Sequence, residues 1–278
     1  MSNLATRIDA TVLRKIAPKV SGKKAASQLV VIDGFGAMLP KMLPYISVTS
    51  PLRISHFLAQ TAHESDGFCT SEEYASGAAY EGRTDLGNVQ AGDGKRFKGR
   101  GPIQLTGRKN YRLFTAWMRS IQPDCPDFEQ RPELVGQWPW AGWAATFYWS
   151  TNEINKLADN DDLVAVTKRV NGGRNGLEDR SRYLTKTKGI IIPMAAEAIE
   201  PDHDFPVLRR GSTGVWVDRL QYALAALGYY LLSIDGDFGS GTEGAVKLLQ
   251  RARGLVVDGI AGPKTFAALA AYLPKTEA

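Results

Sequence analysis

Soft and imidazole chemistry is scarce in this chain: 278 residues carry only two cysteines, Cys69 and Cys125, and three histidines, His56, His63 and His203. Two cysteines cannot staple a secreted disulfide fold of this size, and neither stands in a CxxC pair of the kind that holds zinc. His56 and His63 are seven residues apart, about 10.5 Å along a helix, so one ion can hardly take both, and no HExxH is present. A zinc amidase is disfavoured on that ground. A cysteine peptidase fares no better, because Cys69 has only His203 downstream. Both thiols are read as buried, His56 as packing and His63 as a structural or supporting group, and neither a metal nor a cofactor is expected.

Long apolar runs are also missing. Arg7, Asp9, Arg14 and Lys15 interrupt the start before a secretion signal can develop. The stretch between Glu133 and Glu153 is uncharged but broken by Gln137, Pro139, Ser150 and Asn152. A span needs roughly 20 mostly apolar residues, so a buried helix is expected, with Trp138, Trp140, Trp143 and Trp149 as core at helical spacing. Runs of Lys or Arg are absent too. The net charge of +5, from 34 basic and 29 acidic side chains, is spread along the chain. Nucleic acid is therefore not expected, whereas mild basicity suits an anionic wall polymer.

What remains is ample material for folded cores: 44% hydrophobic and 23% charged residues, over a length that fits one large or two unequal domains. The sharpest composition break, IIPMAAEAIEPDHDFP at 191–206, is a linker candidate between domains at 1–190 and 207–273. Upstream, apolar residues at three- and four-residue spacing predict helices over Pro51 to Ala62, Arg108 to Ser120, Trp138 to Trp149 and Leu163 to Val170. Only Ile103 to Thr106 and Gln28 to Ile32 read as strands. The expected fold is mainly α with a very small β element. Downstream, Asp235-Gly-Asp-Phe-Gly with Thr242 is echoed by Asp258-Gly-Ile-Ala-Gly-Pro with Thr265. Each copy makes a Gly-rich turn followed by Thr as a candidate N-cap, and with a helix from Trp216 to Leu227 they give a compact three-helix module.

Three segments of the first domain carry chemistry. In SPLRISHFLAQTAHESDGF, Ser50 is a candidate N-cap, Pro51 the first helical residue and Gly67 the terminator. Seven residues beyond Phe57, Glu64 falls near the apolar stripe in the last turn. Desolvation and the negative end of the helix dipole there both favour the neutral acid that a general acid must be. The alternative is a solvated, inert Glu at a frayed end. In RGPIQLTG, an extended 103–106 would put Gln104 and Thr106 on one face, able to hold a sugar hydroxyl or an attacking water, or else would be an ordinary amphipathic edge. In KRVNGGRNGLEDRSRY, Asn171-Gly-Gly ends one helix and Arg180 lies on the next, its guanidinium fork suited to bridging carboxylates or to a surface ion pair.

HESDGF, FKGRGPIQLTGRKNY and VNGGRNGLEDR together resemble the three catalytic motifs of glycoside hydrolase family 19, the chitinase family that includes phage endolysins. They stand in the right order over residues 50 to 185. The resemblance implies a lysozyme-like helical domain that cleaves β-1,4 bonds of N-acetylated aminosugar polymers with inversion. It carries Glu64 onto the general acid, Thr106 onto the hydroxyl that holds the nucleophilic water, and Gln104, Asn110, Tyr111 and Asn171 onto substrate-binding positions. Arg180 falls on the arginine that organises the acid. Glu73 is favoured as the general base, with Glu81 the competitor and Glu72 a solvated neighbour. Arg174-Asn175 stands where plant enzymes carry a further Glu, and the loop before GRGPIQL is short, which tilts the likeness toward the bacterial and phage branch.

Residues 207 to 271 resemble the peptidoglycan-binding module of bacterial and phage wall hydrolases through RxGSxG, VxxLQ, DGxFG and the later DG and GP. That likeness implies a wall-binding surface, for which Tyr229, Tyr230, Asp235, Phe238 and Asp258 are the candidates. Asp235 and Asp258 more readily serve turns than calcium, because no EF-hand spacing is present. The resulting expectation is a monomeric endolysin. It would accumulate in a host cytoplasm, reach the peptidoglycan through a membrane pore of the holin kind, and cut the glycan. A chitinase acting on chitin oligomers and a non-catalytic wall-binding lysis protein are the rivals.

Overall fold

The computed structural model describes residues 4–197 and 205–273. They form two compact units that divide at Ile191/Ile192, within the last turns of the helix Leu177–Glu197, which is counted with the first unit. The first unit is helical: α1 (Ala10–Ile16), α2 (Gly22–Tyr45), α3 (Pro51–Glu64), α4 (Asp93–Arg96), α5 (Arg108–Arg119), α6 (Trp140–Thr151), α7 (Ile154–Asp159), α8 (Leu163–Asn171) and α9 (Leu177–Glu197). The second holds α10 (Val215–Ala226), α11 (Ser240–Ala252) and α12 (Pro263–Leu269), the last running into a 3-10 turn, Ala270–Tyr272. Sheet is reduced, among the described residues, to isolated bridges: Glu72 with Arg100, Arg100 with Leu105, Leu208 with Ala261 and Thr213 with Asp237.

Two strand expectations are corrected. Gln28 to Ile32 lies inside α2, where Val31, Ile32, Phe35, Leu39, Met42 and Leu43 are buried at helical spacing while Leu29 and Val30 face water. A run of four apolar residues has no period of its own, and the residues after it decide. Ile103 to Thr106 is not extended. Gly101 (φ 79°) and Pro102 start a tight turn closed by paired hydrogen bonds between the backbones of Arg100 and Leu105 (3.1 and 2.8 Å), with Gln104 left-handed at φ 56°. The linker expectation changes as well. Helix α9 continues to Glu197, so 191–197 is helical; residues 198–204, with His203, lie outside the described residues.

The core of the first unit is aromatic. Phe57 of α3 meets Trp149 edge-on at 5.1 Å, and Phe114 stacks on Phe128 at 4.7 Å. Trp149 and Trp143 are buried and Trp138 and Trp140 half-buried; both cysteines are buried free thiols. Fully burying one large apolar side chain is worth about 1.5–3 kcal/mol, so Phe57 at the middle of α3 anchors the helix that ends on Glu64. In the second unit Val217, Leu220, Leu224, Val246, Leu249 and Phe266 interlock between the three helices.

Candidate active site

Helix α3 begins as its sequence dictates. Ser50 Oγ accepts from Arg53 N at 3.2 Å, and Pro51 occupies the first turn. Its end is held more firmly than Gly67 alone would do. Ser65 Oγ donates to Thr61 O (2.6 Å) and accepts from Phe68 N (3.1 Å), and Asp66, Gly67 and Phe68 are all left-handed. At Gly67 (φ 69°) a side chain would also drive a Cβ to 2.5 Å from Pro18 Cγ. This knot fixes the last turn, and Glu64 with it.

Glu64 does not face bulk water. Its side chain is 18% exposed and ion-paired with Arg180, which is 2% exposed. The guanidinium donates through Nη2 to Glu64 Oε1, through Nη1 to Gln60 Oε1, and through Nε to Asn175 O at 3.2 Å. One planar fork therefore ties α3, the loop after α8 and α9 together. Gln60 lies one turn before Glu64, fully buried, and its Nε2 has no hydrogen-bond partner. Asn171 spends its amide on the same loop: Oδ1 accepts from Gly173 N and Nδ2 donates to Asn175 O, both at 2.9 Å. His63 meets Asp179 at 2.6 Å. Burial works against ionised Asp179, but bonds from His63 and Arg182 outweigh it and hold that carboxyl below its ordinary range. At Gly176 (φ 69°) a Cβ would sit 2.3 Å from His63 Cε1, so the loop packs directly on the imidazole. Tyr148 of α6 completes this group. Burial, and then the charge of Glu64, raises its hydroxyl, which donates to Arg169 O and Val170 O at 3.0 Å.

A second group gathers around Gly99. Glu73 is fastened there twice by backbone, Glu73 N to Gly99 O (2.9 Å) and Gly99 N to Glu73 Oε2 (3.1 Å), while Tyr80 donates to Oε1 at 3.0 Å. Burial, and then the Glu73 carboxylate, raises Tyr80. Gln104 and Thr106 crowd the same glycine, since an added Cβ would lie 2.6 Å from Gln104 Oε1 and 3.2 Å from Thr106 Oγ1. Gln104 Oε1 is buried without a partner. Thr106 Oγ1 donates to Gln104 O at 2.8 Å, so its hydroxyl offers lone pairs to a further donor such as water. Asn110 Nδ2 holds Thr106 O at 2.7 Å. The structure thus brings Glu73, Gln104, Thr106 and Asn110 together, though through the left-handed turn instead of strand alternation.

Two expectations fail here. Tyr111 is fully buried, its hydroxyl donating to Lys98 O (2.7 Å) and accepting from Arg100 Nη1 (3.0 Å), with burial pushing its ionisation far up. It supports the Gly99 segment from beneath and cannot reach a substrate, because adjacent helix positions face different ways. Glu72 is not simply solvated: it pairs with Lys98 (3.2 Å) and Arg100 (3.1 Å). Glu81 accepts from Gly92 N (2.6 Å) and Gly94 N (2.8 Å), binding the start of α4. Sequence reasoning missed Gln60, Tyr80 and Tyr148. The only signal for Gln60 was its place one turn before Glu64, whereas the two tyrosines arrive from distant segments.

The second unit corrects the proposed aromatic surface. Tyr230 and Phe238 are 5% and 2% exposed and belong to the core, and Tyr229 packs partly against it. The echo in sequence is instead a repeated polar knot. Gln221 Oε1 accepts from Asp235 N and Gly236 N (3.1 Å each), while Nε2 donates to Asp235 Oδ1 (2.7 Å), Asp237 O (3.0 Å) and Thr242 Oγ1 (3.1 Å). Gln250 repeats this with Gly259 N (2.9 Å), Asp258 Oδ1 (2.7 Å), Ile260 O (3.0 Å) and Thr265 Oγ1 (3.3 Å). Thr242 and Thr265 are not N-caps. The helices start earlier, at Ser240 and Pro263, capped by Gly239 and Gly262. Asp235 and Asp258 serve these turns, and both are held below the ordinary carboxylate range, Asp235 by Gln221 first and Asp258 by Ile260 N–H first.

Against known proteins, residues 213–269 match the family described as a putative peptidoglycan binding domain. A glycosyl hydrolase family 19 domain-containing protein of Haemophilus influenzae is 30% identical over 158 residues, 45% of this chain and 74% of its own length. An endochitinase of Arabidopsis thaliana is 29% identical over 170 residues, 61% of this chain and 57% of that protein. Among solved structures, chitinase C from Streptomyces griseus aligns at 18% identity and a TM-score of 0.47, covering 66% of this chain and 92% of that one.

Proposed function

This chain belongs to glycosyl hydrolase family 19, and from that premise we propose that it cuts β-1,4 bonds in the glycan of bacterial peptidoglycan as an endolysin. It is a glycoside hydrolase; the choice of polymer rests on one observation. A family 19 unit and a segment matching a peptidoglycan-binding family stand in the same chain. A chitinase acting on chitin oligomers is the second reading, favoured by the endochitinase relative.

In the proposed chemistry Glu64, steadied by Arg180, protonates the departing glycosidic oxygen. Glu73 takes a proton from a water that Thr106 accepts from, on the opposite sugar face. Inversion needs the carboxyls roughly 6.5–9.5 Å apart to admit that water. Glu73 is preferred to Glu81 because its carboxyl shares Gly99 with Thr106 and Gln104, whereas both Glu81 oxygens hold the backbone of α4. The wider endolysin role, in which a monomer from a host cytoplasm reaches the wall through a membrane pore, is part of this proposal.

The test is digestion of purified peptidoglycan and, separately, chitin oligomers, with mass spectrometry of the new reducing ends. Reducing sugar from peptidoglycan, abolished by Glu64→Gln and Glu73→Gln but retained in Glu81→Gln, is the expected result. Products from chitin alone would overturn the choice of polymer. Peptidoglycan solubilised without new reducing ends would overturn glycan cleavage itself.

A further inference from the structure

The two polar knots of the second unit are alike, but the chain between glutamine and aspartate differs in length. Gln221 and Asp235 are 14 residues apart, Gln250 and Asp258 only 8. In the first copy the longer loop folds back over its own knot. Tyr230 bonds Gln221 through its hydroxyl at 3.1 Å, and Leu232 covers Gly241, where an added Cβ would lie 2.5 Å from Leu232 Cδ1. The residue that corresponds to Gly241, one before the knot threonine, is Lys264. The shorter second loop holds no tyrosine to close over its knot, and an open groove of about 440 Å³ lies there, walled by the loop's own Leu255 and Val256 and floored by Gln250 and Thr265.

We infer that this groove is the wall-recognition site of the unit and takes the peptide stems of peptidoglycan, not its sugars; the inference rests on the wall-binding reading above. Its volume falls in the range of small-ligand sites, roughly 300–1,000 Å³. Leu255, Val256, Ile260 and Pro263 give it aliphatic walls, and Val256 is 79% exposed, a cost in water that a bound aliphatic group would relieve. No aromatic side chain lines it, so the flat apolar platform on which a sugar ring stacks is missing. Tyr230 and Phe238, which could have supplied one, are in the core.

The polar groups fit a peptide. Lys264 lines the rim, where its ammonium suits a stem carboxylate. Asp258 spends Oδ1 on Gln250 Nε2 and Ile260 N (2.7 and 2.8 Å), which leaves Oδ2 for the amine of a diamino acid. Small methyl side chains between a carboxylate and an amine match aliphatic walls between Lys264 and Asp258, and the two opposite charges fix the direction of the bound peptide.

The experiment measures retention of the full-length chain, in a Glu64→Gln background so that the probe is not digested, on three materials: intact sacculi, glycan strands stripped of stems by an amidase, and sacculi competed with soluble stem peptide. The inference expects retention on intact sacculi, at least tenfold less on stripped glycan, and displacement by the free peptide. Val256→Asp and Lys264→Glu, both at exposed positions, should each weaken retention about tenfold with an unchanged thermal transition. Equal retention on stripped glycan, or full retention by both variants, would overturn the peptide groove while leaving wall binding intact. Failure of the unsubstituted groove to retain sacculi at all would overturn the wall-binding reading and the groove with it.

Discussion

Arg180→Gln isolates what holds the candidate acid in place. The arginine side chain is 2% exposed and contacts Glu64, Gln60 and the carbonyl of Asn175. A glutamine retains bulk but loses the charge and two arms of the fork. Glu64, 18% exposed, would then keep a half-buried carboxylate without a counter-charge, and Gln60, whose Nε2 already has no partner, would lose the arginine N–H that its Oε1 accepts from. Breaking a buried pair from one side costs about 3–5 kcal/mol, and an orphaned buried amide about 1–3 kcal/mol. These overlap, so about 4 kcal/mol is the expected loss, and at about 2–4 °C per kcal/mol for a unit of this size the first transition should fall by roughly 8–16 °C. Calorimetry on the full chain resolves it, since the second unit has its own core and should not move. Activity per folded molecule should drop on the order of 100-fold, the usual scale for a displaced general acid, whereas Arg180→Lys should recover stability better than activity, because a point charge lacks the planar fork. A variant that melts with the parent and retains its turnover would refute the claim that Arg180 sets the acid's position.

Three further outcomes follow from other contacts. Glu129 is held at about 2, first by Arg112 and then by Arg108; a depressed carboxyl contributes stability fully present above its unfolded value near 4.3 and lost as pH falls through 2. Linkage alone gives at most about 3 kcal/mol, and because Arg112 is 65% exposed about 1–2 kcal/mol should survive screening, so urea melts should show a step between pH 5 and 2 that Glu129→Gln abolishes. Gly176→Ala places a Cβ 2.3 Å from His63 at φ 69°, and should cost about 2 kcal/mol with a shifted His63 imidazole resonance; an unshifted resonance would show that the loop does not bear on the histidine. Gln221→Ala and Gln250→Ala should each destabilise only the second transition by about 3 kcal/mol through unpaired turn amides, and equal effects would establish the two knots as equivalent.

The legible parts of the site were those fixed by local rules. Ser50 and Pro51 announce the start of α3, and the spacing from Phe57 places Glu64 on the inner side of its last turn. The turn at 100–105 is not legible in the same way, because the alternation of 103–106 fits a strand while Gly101 and Pro102 reverse the chain and Gln104 turns left-handed. Tyr111 was misplaced for a related reason: it adjoins Asn110 in sequence, yet points into the core while Asn110 reaches back to Thr106. Tyr230 and Phe238 looked like surface aromatics because they stand in polar, Gly-rich loops, but Gln221 pulls those loops inward. Partners such as Gln60 for Arg180, 120 residues away, have no local signature at all.

The two carboxylates owe their positions to different kinds of constraint, and this difference bears on which can move. The Glu64 carboxyl is held by a side chain, in an ion pair whose partner belongs to α9, and its neighbour His63 is gripped by Asp179 from the same helix. Glu73 is held largely by the Gly99 backbone, which accepts from Glu73 N and donates to its Oε2, with Tyr80 donating to Oε1. A shift of the loop 171–176 would carry Asn175 and the guanidinium with it and re-aim Glu64, while Glu73, Gln104 and Thr106 would stay together as one rigid piece. Substrate-driven adjustment is therefore expected on the acid side of the site. Substitutions at Asn171, which anchors that loop from both ends of its amide, should alter turnover through Glu64, the candidate acid, before they disturb Glu73, Gln104 and Thr106.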